Sequence, residues 1–384
     1  MKQQRWCYRH ILGVVFLIAM MTIATQAAAD EPPRWRQAEI DFDSDEEVVN
    51  VAFSDNFAYV TLFEEQEYQR RLAVLDITNP IQTREIGAAE IGVVVMAING
   101  DYLYGSIGYL LRIVDISNPE LPVLISETDV ETSNPKVISY YDNHVYIPDY
   151  TGIRIIDVSD PYHPHEASYM NEGIGTVYGI TIAQDPTGES DRVFAYLVGD
   201  KDNYTGEGGG LNILDVTDPA NPILMNSNCG FPCHISRRGI YDIVLEGHYV
   251  YLPMAHNAAM DGWGLHIVDV SDASWPVEVD TYLTPGIEQF NLTLIGDQLN
   301  MLGKRYEGSG EQLMSTIDVA VRGMLHQTGQ RDMAFRKGSA QIESHQGCLF
   351  IPQGEAGLKI LCESNVTPTP PKVTFLPLLS WFGE

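Results

Sequence analysis

The sequence predicts an all-β protein: a seven-bladed β-propeller of four-stranded antiparallel blades, closed by an N-terminal strand that completes the last blade. Three observations carry this. The stretch Leu111 to Pro119 returns in variant form along almost the whole chain. Other strand-like runs keep fixed places around each copy. The first and last repeats are incomplete in complementary ways.

The strong copies are Leu72 to Pro80, Leu111 to Pro119, Ile153 to Pro161, Leu211 to Pro219 and Leu265 to Asp272, with weaker ones ending in Ile317-Asp318-Val319 and in Leu358 to Cys362. Equivalent positions are 76, 115, 157, 215, 269, 318 and 362, a period of roughly fifty residues that points to an array or a propeller. Each copy is a β-branched apolar run ended by a turn signal. Ser or Thr and Asn or Asp bond nearby amides there, and Pro presets φ.

A second strand precedes each motif strand, as in Tyr102-Leu103-Tyr104, His144 to Ile147 or Tyr249 to Leu252, and another lies further upstream, as in Val48 to Phe53. A fourth follows, as in Val123 to Thr128 or Val277 to Tyr282. Four antiparallel strands per repeat is the plan of a propeller blade. The run Arg36 to Phe42 belongs to no complete repeat, while the repeat ending at Cys362 lacks its own fourth strand. Joining the two removes an exposed sheet edge.

Leu111 to Asp115 resembles, almost letter for letter, the signature of the LVIVD-repeat proteins, and the likeness extends over about residues 36 to 364. The resemblance implies a bacterial or archaeal cell-surface propeller. It implies no catalytic residues, because no catalytic motif comes with it.

Three regions are expected: a secretory signal peptide at 1–29, the propeller at 30–365, and a tail at 366–384. Lys2, Arg5 and Arg9 precede the apolar run Ile11 to Thr25, and Ala27-Ala28-Ala29 supplies small residues for cleavage. In the tail, Thr367 to Pro371 reads as a stiff spacer before the short apolar Val373 to Leu379, a segment concerned with export or surface retention and dispensable for folding. The predicted location is therefore secreted or cell-surface.

With 52 acidic and 23 basic residues the net charge is −29, which repels phosphate backbones and anionic lipid, so nucleic acid is excluded as a partner. No transmembrane span is expected in the mature form, and a monomer is expected. No cofactor is called for; calcium is the one ion the acidity leaves open. Asp43 to Glu47 begins like a calcium loop but lacks the required glycine and the distal glutamate, so it reads as a solvated turn.

After signal removal four cysteines remain, an even number in an oxidising compartment, which favours two disulfides. Cys229 and Cys233 bracket a Gly-Phe-Pro turn. Cys348 and Cys362 flank the last hairpin symmetrically about Glu355 and should sit opposite each other. The repeat aspartates Asp76, Asp115, Asp157, Asp215 and Asp269 read as turn staples rather than a functional ring. Of the histidines, His163 and His165 lie in a turn, His144 and His345 in or near strands, and His256 in a long hairpin loop.

The hairpins between the second and third strands are short in repeats 2, 3 and 7. Repeats 4, 5 and 6 instead carry Gly199 to Gly210, Ala255 to Gly264 and Gly303 to Gln312. Surplus loop without need in the core is where function tends to lie. One rim of the ring would then offer Asp200, Asp202 and Tyr204, His256, Asp261 and Trp263, and Lys304, Arg305 and Tyr306 as ligand-binding residues. Aromatics beside mixed charges suit an extracellular carbohydrate or protein ligand. The expected function is a noncatalytic binding module. The alternative is a propeller hydrolase or lyase with a metal in the central funnel, which converging His and carboxylates would favour.

Overall fold

A computed structural model describes residues 35–363, apart from 44, 65–68, 133–134, 151, 201–209, 227–239, 258–261, 285, 306–311, 321–324 and 334–341. The segment 1–29, the tail 366–384 and the pair Cys229 and Cys233 lie outside the described residues.

Seven four-stranded antiparallel sheets follow one another in chain order. Blade 1 is Glu46–Ser54, Phe57–Glu64, Gln69–Asp76 and Arg84–Ala89. Blade 2 is Val95–Asn99, Tyr102–Ile107, Leu110–Asp115 and Val123–Asp129; blade 3 is Ser139–Tyr141, His144–Pro148, Ile153–Asp157 and His165–Met170. Thr176–Gln184, Val193–Asp200, Gly210–Asp215 and Ile223–Leu224 make blade 4, and Val244–Glu246, Tyr249–Asn257, Gly262–Asp269 and Val277–Leu283 make blade 5. Blade 6 is Ile287–Ile295, Gln298–Arg305, Gln312–Asp318 and His326–Met333. Blade 7 takes Glu343–His345, Cys348–Pro352 and Leu358–Glu363 from the end of the chain and Trp35–Ile40 from its start.

The repeat motif is a contiguous apolar run because both faces of its strand are covered. Leu111 and Ile113 pack toward blade 3, whereas Val114 and Ile116 pack toward blade 1. Such two-sided burial is repeated around the ring, with an apolar cluster between each blade and the next, the last joining Phe350 and Ile360 to Val51 and Val60. Fully burying one such side chain stabilises the fold by roughly 1.5–3 kcal/mol.

The motif aspartates do the local work expected of them. Asp76, Asp115, Asp157, Asp215 and Asp269 each accept the backbone N–H two residues on, at 2.8–3.0 Å. The Asn or Asp before Pro then closes the turn: the carbonyls of Asn118, Asp160 and Asp218 each accept an N–H three residues on at 3.0 Å. Blade 7 needs no such turn, since its fourth strand comes from elsewhere in the chain. There Cys362 replaces the aspartate, faces Cys348 in the ladder and is bonded to it.

Ring closure is spread over several contacts. Trp35–Ile40 pairs along the whole of Leu358–Glu363. The His345 ring stacks on Phe53 at 4.6 Å, with its Nε2 2.7 Å from the Asp55 carbonyl, and Val48 N–H donates to Gly354 O at 3.1 Å.

Two local expectations are corrected. Glu46, expected in a solvated turn, is buried in the first strand of blade 1, where the Arg71 guanidinium donates to it at 2.9 Å and holds its carboxyl below the usual range. The described parts of the blade 5 and blade 6 hairpins continue the strand pairing instead of leaving the ladder as loop. Met254 pairs with Gly264, Asn257 with Gly262, and Lys304 with Gln312, because two extended arms that leave the blade together still satisfy one another's backbone.

Candidate functional site: a central channel with a tyrosine mouth

A cavity of about 280 Å³ lies among the innermost strands and is lined from all seven blades, including Asn50, Met96, Val137, Tyr178, Thr181, Asp242, Thr293 and Glu343. Strand pairing sorts these residues into tiers. In blade 1 Asn50 pairs with Thr61, four residues beyond Phe57, which itself faces Asp76. Val95, Gly179 and Asn291 hold the same place, opposite Ser106, Val198 and Leu302. Continuing the Val244 to Tyr251 pairing back by two residues brings Asp242 to this tier.

The tier two residues further along is Ala52, Ala97, Ser139, Thr181, Val244 and Thr293 in six blades, and Glu343 in the seventh. Opposite it, on the second strands, stand Tyr59, Tyr104, Tyr146, Tyr196 and Tyr251, then Asn300 and Phe350. Buried phenols fill the space behind the inner wall, so the wall itself takes small side chains. Glu343 is the exception.

Asp242 is anchored. Its carboxylate accepts Ile243 N–H at 2.8 Å and Leu292 N–H at 2.7 Å, which ties blade 5 to blade 6, and Asn291 bonds it as well. Glu343 makes no side-chain hydrogen bond among the described residues, while its neighbour Ser344 receives one from Thr293 at 2.8 Å. Both carboxyls keep some surface toward the cavity, yet protein surrounds them. That desolvation raises Asp242 to about 6 despite its hydrogen bonds, and raises Glu343, with the Asp242 charge adding, to about 8. Near neutrality the two hold roughly one proton between them.

The mouth lies on the face where the first strands begin. There Val177 N–H donates to Asp149 O at 3.2 Å and Thr176 Oγ1 to Tyr150 O at 3.0 Å, so the blade 3 hairpin sits against the start of blade 4. The ladder of blade 4 skips Tyr178, a bulge that re-aims its side chain, and its ring meets Tyr241 at a centroid distance of 5.1 Å. Burial, then the charge of Asp200, with Tyr241 and Tyr150 close by, raises the Tyr178 phenol. Tyr241 is raised by burial, Asp200 and Glu288. Tyr150 and Tyr241 are 41% and 44% exposed.

Of the residues expected on this rim, Asp200 stands at the mouth between these tyrosines. Lys304 is exposed beside the mouth, paired in the ladder with Glu288. Arg305 is drawn to the fourth strand by Asp332 at 3.1 Å, because that carboxylate is its nearest partner. His256 and Trp263 lie on the paired arms of blade 5, their side chains beyond the described set; Asp202, Tyr204, Asp261 and Tyr306 lie outside the described residues. Tyr150, Tyr178, Tyr241, Glu288, Asp242 and Glu343 were not singled out from sequence. Aligning the first strands of the repeats would have isolated Glu343, the one charged residue in a row of small ones.

Among the described residues no three His, Cys, Asp or Glu side chains gather as metal ligands would. His163 and His165 turn to separate carboxylates, Asp160 at 2.8 Å and Asp157 at 3.9 Å. No helix among the described residues is long and apolar enough to cross a membrane.

The molecule is therefore a seven-bladed propeller whose channel carries two carboxyls behind a tyrosine mouth. The model of the LVIVD repeat matches residues 47–88, 94–130, 135–171, 194–228 and 240–284, about half of the chain, and the chain belongs to the LVIVD-repeat family. No curated protein matches it. Among solved structures, the Neurospora crassa Pan2 WD40 domain is 7% identical with a TM-score of 0.57, covering 89% of this chain and 99% of that one. The WD40 propeller domain of Doa1 is 9% identical at a TM-score of 0.55, covering 86% and 96%. A functionally unknown protein from Desulfotomaculum acetoxidans is 12% identical at 0.52, covering 74% and 84%. At such identities the likeness speaks for the fold alone.

Proposed function

We propose that this protein is a secreted or cell-surface, noncatalytic binding module that takes a carbohydrate or protein ligand on the face holding the channel mouth. The observation that carries this reading is the convergence of Tyr150, Tyr178 and Tyr241 with Asp200 and Glu288 above the cavity. Rings supply apolar area at small entropic cost, and the polar groups fix orientation. The Cys348 to Cys362 disulfide supports an oxidising compartment.

Glycan and peptide arrays probed with wild type, Tyr178→Ala and Tyr241→Ala test the reading. Each substitution should weaken capture by about tenfold or more, the loss of one aromatic anchor, with little change in melting temperature. Undiminished capture by both variants would place the ligand elsewhere. The carboxyl pair favours one second reading, a hydrolase or lyase using the protonated and ionised members as acid and base. Turnover of a glycoside or ester panel that Glu343→Gln abolishes would support it.

A further inference from the structure

We propose that the channel is a receptor for a primary ammonium group on an unbranched alkyl stem, as a lysine side chain of a protein ligand would present. The inference rests on the binding reading above and deepens it. Three features, in order from solvent inward, share a preference for the same chemistry.

At the mouth, the Tyr178 and Tyr241 rings offer π faces, which attract organic cations held within about 6 Å, and Asp200 and Glu288 stand beside them. In the cavity, the wall apart from the carboxyls carries no charge, and most of its exposed surface is polar, with Asn50 and Thr181 beside Val95, Met96 and Ile180, so it gives a slim stem room to pass without forming an apolar sleeve. The ionisable groups of the cavity are Asp242, level with Asn50 and Val95, and Glu343, one tier further along, and no lysine, arginine or histidine lines the cavity among the described residues. Asp242 has part of its acceptor capacity committed to Leu292 and Ile243, whereas Glu343 has no such partner among the described residues.

The physical case turns on what each candidate guest does to the pair. A neutral sugar hydroxyl leaves the two carboxyls repelling one another across a desolvated space. A divalent metal would have to complete its shell from water and neutral oxygens, since no group of three His, Cys, Asp or Glu ligands is assembled among the described residues. An ammonium brings one positive charge and three N–H donors, enough to bond both carboxylates in their ionised form. Its arrival drives off the proton the pair holds, because an opposite charge within hydrogen-bonding distance favours the ionised form. Binding should therefore release protons near neutrality and tighten as pH rises through the free pair's values of about 6 and about 8. The titratable and charged groups at the mouth are Tyr150, Tyr178, Tyr241, Asp200, Glu288 and Lys304, which pairs in the ladder with Glu288; burial keeps the Tyr178 and Tyr241 phenols neutral in this range.

The test is calorimetric titration of the full chain with cadaverine, with n-pentanol as the uncharged stem and with calcium chloride, in two buffers of different ionisation enthalpy. A short lysine-containing peptide and its acetyl-lysine counterpart separate a protein-borne ammonium from a free amine. Expected are cadaverine binding without pentanol or calcium binding, proton release on binding, and loss of the acetylated peptide. Glu343→Gln should weaken cadaverine binding by about tenfold or more, as expected for removing one charged hydrogen-bond partner. Because Asp242 also ties two blades together, Asp242→Asn is read only alongside a wild-type near-ultraviolet spectrum, and Glu343→Gln, at a side chain without such bonds, is the primary variant. Cadaverine binding unaffected by Glu343→Gln, equal affinity for pentanol, or tighter binding of calcium would each overturn the inference. If array ligands were captured in a Tyr178-dependent way while neither cadaverine nor the lysine peptide bound, the binding module would stand and the ammonium receptor would fall.

Discussion

Replacing Glu343 by Gln should stabilise the protein at neutral pH and leave it unchanged in mild acid. Glutamine copies the shape and hydrogen-bonding capacity of a protonated glutamate. In the folded chain Glu343 titrates near 8 because burial and then the Asp242 charge disfavour its ionised form, whereas in the unfolded chain it has its ordinary value of 4.5. The folded pKa is raised, so the folded state holds the extra proton between these values, and stability falls as pH climbs through that window. At pH 7 the interval above 4.5 is about 2.5 units, and at ~1.36 kcal/mol per unit the native glutamate costs roughly 3 kcal/mol relative to glutamine. With a shift of about 2–4 °C per kcal/mol for larger domains, melting should rise by roughly 6–12 °C at pH 7 and by almost nothing near pH 4.5. Differential scanning calorimetry at both pH values measures the difference. An equal shift at the two pH values, or a lower melting temperature at pH 7, would refute the account of the buried carboxyl.

Other features of the fold yield further outcomes. Mutating Cys348 and Cys362 together to Ser opens a loop of about 15 residues and should cost roughly 3 kcal/mol in the chain-entropy model, and non-reducing peptide mapping of the wild type should recover the two as a linked pair. Gly264→Ala would set a methyl 1.9 Å from the Tyr282 carbonyl oxygen, so the third and fourth strands of blade 5 must part; denaturant unfolding should show a loss of about 2–4 kcal/mol, and a neutral result would mean that the hairpin arms yield freely. Asp115→Ala removes the acceptor for Ser117 N–H and should cost about 1 kcal/mol, with Asp115→Asn retaining most of the stability because the amide oxygen can still accept. The Asp115 carboxyl is held below its ordinary value by Ser117, so its contribution should be present at neutral pH and fade as pH falls through the folded pKa, the opposite trend from Glu343.

The blade count, the turn chemistry and the covalent closure were all legible because each is written locally and repeatedly. A strand buried on both faces must be apolar throughout, and a tight turn after it must offer side-chain acceptors, so Leu111 to Pro119 announces both. The facing of Cys348 and Cys362 follows from hairpin symmetry, and the spare strand before blade 1 follows from the missing strand of blade 7. The rim was legible in part. Asp200 was found because its hairpin is long, but the tyrosines around it sit in a hairpin, at a strand bulge and in a connection between blades, where nothing in one repeat points to the next.

By itself, the sequence determined which segments become strands, how they group into blades and where each motif strand ends, since these depend on side-chain burial and hydrogen bonds within a few residues. Only the tertiary structure decided that Asp242 and Glu343, about a hundred positions apart, share one desolvated channel, and that Tyr150, Tyr178 and Tyr241 stand together at its opening. Closing the ring turns the first strand of every blade toward a common axis. A carboxyl that would be ordinary on a single blade is thereby desolvated by six others, and its proton affinity belongs to the assembly rather than to any local stretch of chain.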